Sequence, residues 1–125
     1  MNFKFSSTLA ACILALTAGF QAAPALAGAA DFTLVNRTGY DIGEVYVSPA
    51  NKDSWGRDRL GKNVLENGKA KMFTFSDAAN CVQDIRVVFD DDNSTVTWED
   101  IDLCEVHKIT LRYDRRSRKV SAEAE

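Results

Sequence analysis

The sequence is short of the residue types on which most enzymes and nucleic-acid-binding proteins depend. Its 125 residues include one histidine and three cysteines, and 15 basic residues stand against 18 acidic ones. A domain-wide basic excess, the usual mark of nucleic-acid binding, is therefore absent. The length also excludes a two-domain enzyme or a doubly wound dinucleotide-binding fold. We expect one small domain with a modest core and no nucleic-acid partner.

The chain also lacks an apolar run long enough to cross a bilayer. Its N-terminal apolar stretch, Leu9–Phe20, has twelve residues, whereas a hydrocarbon core of roughly 30 Å requires about 20. Lys4 precedes this stretch, and Ala25-Leu26-Ala27 follows it as a small-x-small cleavage motif. The pattern predicts a signal peptide over residues 1–27, and hence export to the periplasm or the extracellular space.

A lipoprotein box is the alternative interpretation of the same segment. Leu9-Ala10-Ala11-Cys12 matches such a box, which would make Cys12 a lipid anchor. Most of the apolar stretch lies after that cysteine, whereas a lipobox requires it before. We therefore favour cleavage after Ala27. The loss of Lys4 then changes the net charge from -3 to -4.

Two cysteines, Cys81 and Cys104, remain after removal of the signal peptide, and they allow one pairing. An exported protein passes through an oxidising compartment, so a disulfide is the expected state. The alternative, a metal site, lacks the third and fourth thiol or imidazole ligands that zinc requires.

The residues between the cysteines support this pairing because they have the pattern of a β-hairpin. Apolar and polar residues alternate on both sides of a polar run. If Asp91–Ser94 form the loop, Phe89 faces Val96, and the same ladder continued outward places Cys81 opposite Cys104. The closed loop predicts a stabilisation of about 3 kcal/mol.

No segment has a helical period, and short alternating segments separated by turns account for the remaining chain. Besides the hairpin, we predict strands at Asp31–Asn36, Ile42–Ser48, Ala70–Phe75 and His107–Tyr113, with Asn63–Glu66 as an optional seventh. The pattern predicts an all-β fold over residues 28–113: a small antiparallel β-sandwich or barrel of six to seven strands. Residues 114–125 are charged and nearly free of apolar groups, so we expect a flexible tail.

Four segments carry a resemblance to a known group of proteins. They are FTLVNRTGYDIGEVYVSP, SWGRDRLG, the cysteine-bounded hairpin and LCEVHKITLRYD. Over residues 31–114 the chain resembles a family of small exported bacterial proteins of unknown function. Some members carry an argininosuccinate lyase label, which does not suit this chain because that enzyme is large and helical. Residues 31–48 are also similar to the opening hairpin of thaumatin-like β-sandwiches. Neither resemblance implies a catalytic residue.

Catalytic groups are scarce. His107, the one histidine, lies on the same face of its predicted strand as Ile109 and Leu111. Both remaining cysteines are assigned to the disulfide, so no Ser-His-Asp or Cys-His set is evident. Acidic side chains between Glu99 and Glu105 offer a glycosidase pair, but a domain of this size has little room for a substrate cleft. We expect a non-enzymatic protein, with a small hydrolase as the least favoured alternative.

The predicted hairpin tip concentrates oxygen-bearing side chains. They are Asp90, Asp91, Asp92 and Asn93. Such oxygens are the ligands that calcium prefers, although Thr95 and Ile101 stand where an EF-hand requires glycine and glutamate. The alternative function is therefore a calcium-dependent structural module. Weakly bound calcium is the only cofactor that the sequence suggests.

Three aromatic residues lie outside the predicted core: Trp55, Tyr40 and Tyr46. Exposed together, they would stack on sugar rings or anchor a protein partner; the structural alternative is that Trp55 covers an edge of the sandwich. The segment Arg115–Lys119 fits a solvated tail or a contact with a polyanion.

Our main hypothesis is a non-enzymatic secreted or periplasmic binding domain for a protein or glycan, its oligomeric state left open.

Overall fold

The computed structural model describes residues 28–76 and 78–125, and the predicted signal peptide lies outside them. The strands are β1 (Phe32–Arg37), β2 (Ile42–Pro49), β3 (Ala70–Phe73), β4 (Val82–Phe89), β5 (Thr95–Asp102), β6 (Lys108–Asp114) and β7 (Lys119–Ala124). The described residues form no helix, and so none that is long and apolar enough to span a membrane. The all-β prediction is confirmed.

Two sheets pack face to face as a sandwich. One has the strand order β3-β1-β6-β7 and the other the order β2-β4-β5. Neighbouring strands are antiparallel except β1 and β6, which run parallel, with Thr33 opposite Lys108. This pair departs from the wholly antiparallel arrangement expected from the sequence. Because β1 is followed by a strand of the other sheet, no hairpin sets its direction relative to β6.

The core between the sheets follows from the two-residue period of the strands. Inward-facing side chains on β1, β2, β4 and β6 are almost fully buried: Phe32, Leu34, Val45, Val47, Ile85, Val87, Ile109 and Leu111. Full burial of one such side chain contributes about 1.5–3 kcal/mol. These residues hold the two sheets together and give the loops a common scaffold.

The predicted register of the β4–β5 hairpin is wrong by two residues near its tip. Val96 pairs with Val87 rather than with Phe89. The loop accordingly comprises Asp90–Asn93 rather than Asp91–Ser94. A two-residue shift leaves every side chain on the face predicted for it, so alternation does not distinguish the two registers.

The predicted disulfide nevertheless forms. Cys81 and Cys104 are bonded, with their Cα atoms 5.2 Å apart. A β-bulge lies between the hairpin tip and this bond: Asp100 has a φ of 57°, and its N–H donates a hydrogen bond of 2.9 Å to Asp84 Oδ1. The bulge changes the pairing of β5 with β4 by one residue. Beyond it, the register differs from the predicted one by one residue instead of two, which is close enough for the cysteines to bond.

The flexible tail predicted for residues 114–125 is wrong. Lys119–Ala124 form the edge strand β7, which pairs with β6 after a turn at 115–118. Val120 and Ala122 pack against the core, and the residues that alternate with them, Lys119, Ser121 and Glu123, are polar and exposed. This alternation was present in the sequence, but the charge of the segment and the small size of its apolar residues concealed it.

Residues 50–66 cover the free edge of β2. Arg59 N–H donates a hydrogen bond of 2.7 Å to the carbonyl of Val45. Further along, Leu65 forms an isolated bridge with the first residue of β2. The optional strand at Asn63–Glu66 is therefore only this bridge. The segment occupies an edge that would otherwise be open to another strand.

Candidate functional site

Three turns converge at one end of the sandwich, which we call the tip end. They are the β1–β2 turn (38–41), the β4–β5 loop (90–93) and the β6–β7 turn (115–118). They meet because β1 and β6 run parallel and finish there, whereas β2, β5 and β7 begin there. The tip end thus unites Tyr40, the acidic loop and the basic segment, which lie far apart in the sequence.

Asn36, the last inward-facing residue of β1, determines where Tyr40 lies. The side chain of Asn36 is fully buried. Its Nδ2 donates to the carbonyls of Tyr40 (2.7 Å) and Leu65 (2.9 Å), and its Oδ1 accepts from the N–H (3.1 Å) and the hydroxyl (2.7 Å) of Thr38. Gly39 follows with a φ of 90°, a conformation that glycine adopts without steric cost. One amide thereby fixes the turn and directs Tyr40 outward.

Tyr40 and Tyr113 form an aromatic pair at the surface. Their ring centroids are 5.6 Å apart and their planes meet at 84°, an edge-to-face arrangement. Such a pair contributes about 0.5–1.5 kcal/mol beyond its buried area. Tyr40 is nevertheless 41% exposed. The pair therefore holds an accessible ring in a defined orientation.

A cleft of about 480 Å³ opens beside this pair, and we call it the basic cleft. Both tyrosines line it, together with Arg37, Arg112 and Arg115. Arg37 and Arg112 lie opposite each other in the parallel β1–β6 pair. The cleft therefore exists because of the strand pairing that the sequence did not predict.

The positive charge of the basic cleft is only partly compensated. Arg112 Nε lies 3.2 Å from Glu123 Oε1, and both side chains are about half exposed. This is the one ion pair within residues 28–76 and 78–125. In the same part of the chain, Arg37 and Arg115 have no carboxylate within ion-pair distance. The cleft is thus locally positive in a protein of negative net charge.

The acidic loop Asp90–Asn93 lies on the other side of the tyrosine pair. A smaller cavity of about 150 Å³ separates them and is lined by both tyrosines, Asp91 and Asp92. Hydrogen bonds from the side chain and the N–H of Ser94 lower the pKa of the Asp92 carboxyl. Tyr40 therefore stands at the boundary between a positive and a negative surface.

The acidic loop does not gather its carboxylates into a cation site. Across the described residues, one group of three potential ligands lies within 4.8 Å: Cys81, Asp102 and Cys104. The two sulfurs of that group are bonded to each other. The three aspartates among the predicted calcium ligands, Asp90, Asp91 and Asp92, form no such group. Calcium binding at this loop stays a prediction.

The other two aromatic residues predicted for binding, Trp55 and Tyr46, do not line the basic cleft. They flank Arg86 on the outer face of the three-stranded sheet, with the guanidinium carbon 5.6 Å from the Tyr46 ring centre and 5.7 Å from that of Trp55. The Tyr46 hydroxyl donates a hydrogen bond to Glu44, which raises the pKa of Tyr46. Trp55 is half-buried. The packing of Trp55 on Arg86 fastens the segment 50–66 to the three-stranded sheet.

His107 has no catalytic surroundings within residues 28–76 and 78–125. Its side chain is exposed and makes no hydrogen bond or ion pair there. Its backbone carbonyl accepts from Thr33 N–H at 3.0 Å, and its N–H donates to Glu125 at 2.8 Å. Within the described residues, His107 contributes backbone hydrogen bonds just before the start of β6.

Sequence reasoning missed four residues of the site: Asn36, Arg37, Arg112 and Tyr113. A polar residue at the inward parity of a strand, followed by Thr38 and Gly39, is a signal for a side-chain-stabilised turn and would have identified Asn36. The proximity of Arg37 to Arg112 had no comparable signal, because it depends on which strands pair.

Comparisons of the chain with protein-family models, with curated proteins and with solved structures gave no match. The resemblance to small exported bacterial proteins stays a prediction.

Proposed function

We propose that the protein is an exported, non-enzymatic binding domain that recognises a glycan or a protein of a bacterial envelope or the extracellular space. The observation that carries this proposal is the exposed ring of Tyr40, held edge to face on Tyr113 at the mouth of the basic cleft. Recognition by loops on a rigid β-scaffold is a common arrangement.

An oriented aromatic ring is an efficient contact for a ligand. Binding costs conformational entropy whenever it immobilises a mobile side chain. The hydrogen bonds of Asn36 and the contact with Tyr113 restrain Tyr40 before any ligand arrives. Its ring therefore offers a ligand an apolar face and a hydroxyl, and binding costs little further conformational entropy.

The disulfide supports the export component of the proposal. Disulfides persist in oxidising compartments and are rare in the cytosol. The Cys81–Cys104 bond joins neighbouring strands of a small domain, where it serves stability rather than chemistry.

The test compares the oxidised protein with two variants on arrays of bacterial surface glycans and in co-sedimentation with purified peptidoglycan sacculi. Tyr40→Ala removes the exposed ring. Val64→Ala truncates an apolar side chain of similar exposure, 42% against 41%, that lies outside the basic cleft. We expect Tyr40→Ala to lower retention at least tenfold, and Val64→Ala to leave it unchanged. Absence of any retention, or equal retention by both variants, would overturn the proposal.

A further inference from the structure

We infer that the basic cleft binds an acidic glycan, in which carboxylate groups are attached to the pyranose rings as in uronic acids. This inference rests on the proposed function and specifies the ligand class of the same site. It depends on three properties of the cleft: its charge, the position of the nearby acids and its aromatic wall.

The charge of the cleft calls for an anion. Arg37 and Arg112 are directly opposite on adjacent strands, and Arg115 follows on the next turn. Like charges at paired positions are unfavourable unless a counter-charge is shared between them. A guanidinium group binds a carboxylate through two parallel hydrogen bonds, which provides geometry as well as attraction.

Among the described residues, the acids near the cleft do not fill this role. Asp41 is engaged by the cleft's own backbone, because its Oδ1 accepts the N–H of Asn67 at 3.1 Å. Glu123 contacts Arg112 alone, at half-exposed side chains where an ion pair is weak. Asp114 is turned to its own loop, because its Oδ1 accepts the N–H of Arg116 at 2.9 Å. Asp91 and Asp92 line the cavity on the far side of the tyrosine pair. The basic cleft therefore keeps its positive potential for a ligand from solution.

The wall and floor of the cleft favour a ring-shaped ligand over an acidic peptide. Tyr40 and Tyr113 provide an aromatic wall, against which the C–H face of a sugar ring packs. Gly39 and Gly68 lie in the lining, both with positive φ, and a Cβ at either would meet nothing within 4 Å. The backbone at these two glycines therefore leaves room beside the tyrosines, and Asn67, whose Oδ1 accepts the N–H of Gly39 at 2.8 Å, adds a polar side chain to the same lining. A volume of about 480 Å³ lies in the range of small-ligand sites and accommodates a short stretch of glycan.

The test is a calorimetric titration with three probes of equal length: trigalacturonate, neutral maltotriose and triglutamate. We expect trigalacturonate to bind at least tenfold more tightly than either of the others. Binding should weaken when sodium chloride rises from about 50 to 500 mM, because the contact is electrostatic.

Variants locate the binding. Arg37→Gln combined with Arg115→Gln, and separately Tyr40→Leu, should each weaken trigalacturonate binding at least tenfold. Arg57→Gln removes an exposed arginine that does not line the cleft and should have no effect. Because all these positions are exposed or half-exposed, the melting temperatures of the variants serve as a check that the fold is retained.

Each contrary outcome overturns the inference in a different way. Equal affinity for triglutamate would mean that the cleft recognises charge alone. Equal affinity for maltotriose, with loss in Tyr40→Leu, would leave the proposed binding function standing without acid recognition. Trigalacturonate binding that survives the arginine and tyrosine variants would place the site elsewhere. Failure of all three probes would reject the acidic-glycan class, while the array and sacculus experiment decides separately on the proposed function.

Discussion

At the scale of single residues, Asn36 supports both the β1–β2 turn and the position of Tyr40. Its amide satisfies two carbonyls and accepts two hydrogen bonds from Thr38 in a site without solvent access. A buried polar group that loses its partner costs about 1–3 kcal/mol. Together with the Thr38 hydroxyl, which accepts the N–H of Tyr40 at 3.2 Å and donates to its carbonyl at 3.1 Å, this amide sets the position of Tyr40.

We predict that Asn36→Ala lowers the free energy of unfolding by about 1–3 kcal/mol, because the buried N–H of Thr38 loses its acceptor and the carbonyls of Tyr40 and Leu65 each lose one of their two donors. Chemical denaturation measures the change. Asn63→Ala is the matched control: Asn63 is exposed, and its replacement should change stability by less than about 0.5 kcal/mol. An Asn36→Ala variant as stable as the Asn63→Ala control would contradict the assignment of Asn36 as the support of the turn.

The residue scale also shows the limits of sequence reasoning about the site. Tyr40 was predicted as a binding residue because it lies outside the core pattern, and the structure places it at the basic cleft. Trp55 and Tyr46 had the same sequence signal, yet both pack on Arg86. An aromatic residue outside the core pattern has several possible partners, and only the three-dimensional arrangement determines which of them it meets.

At the scale of elements, the β4–β5 hairpin carries the disulfide. We predict that Cys81→Ala lowers the free energy of unfolding by about 2–5 kcal/mol, since the bond restricts the unfolded chain. Cys81→Ala/Cys104→Ala should lose a similar amount, which would separate the loss of the bond from the exposure of a lone thiol. Two titratable thiols in the purified native protein, or an unchanged stability, would contradict the predicted role of this bond.

The tip loop of the same hairpin provides the test of the calcium alternative. Because its carboxylates do not converge, we expect one millimolar calcium to change the melting temperature by less than about 1 °C. A real site with a dissociation constant of about 10 μM would stabilise the fold by about 2.7 kcal/mol at this concentration. A rise of several degrees that a chelator reverses would restore the calcium-dependent module as a function.

The strands were predicted where alternation was strong and missed where it was weak. Segments with large apolar residues, such as Ile42–Ser48, were located to within a residue. β7 was missed because alanine contributes little hydrophobic signal between lysine and glutamate. The register of the hairpin was missed for a different reason: shifts by two residues conserve the buried face, so the turn and the bulge decide between them.

At the scale of the whole molecule, the pairing of strands was the part of the fold that the sequence could not supply. Alternation predicts which residues face inward, but not which strands lie side by side when several have the same pattern. The basic cleft depends on that choice, because it brings the end of β1 beside the end of β6. The acidic hairpin tip and the basic segment Arg115–Lys119 were both recognised in the sequence, but the placement of Asp91 and Arg115 on opposite sides of Tyr40 was not.

The parallel contact of β1 with β6 also constrains the order in which the chain acquires its structure. β1 lies in the interior of its sheet, between β3 and a strand that comes near the C-terminal end. Contacts between residues so distant in sequence slow folding, because the loop must close before any contact stabilises it. The β4–β5 hairpin, whose contacts are local, can form alone and early. Since β1 has β3 alone as a partner in its sheet until β6 has been synthesised, we expect the four-stranded sheet to be completed last, after the C-terminal strands have left the ribosome.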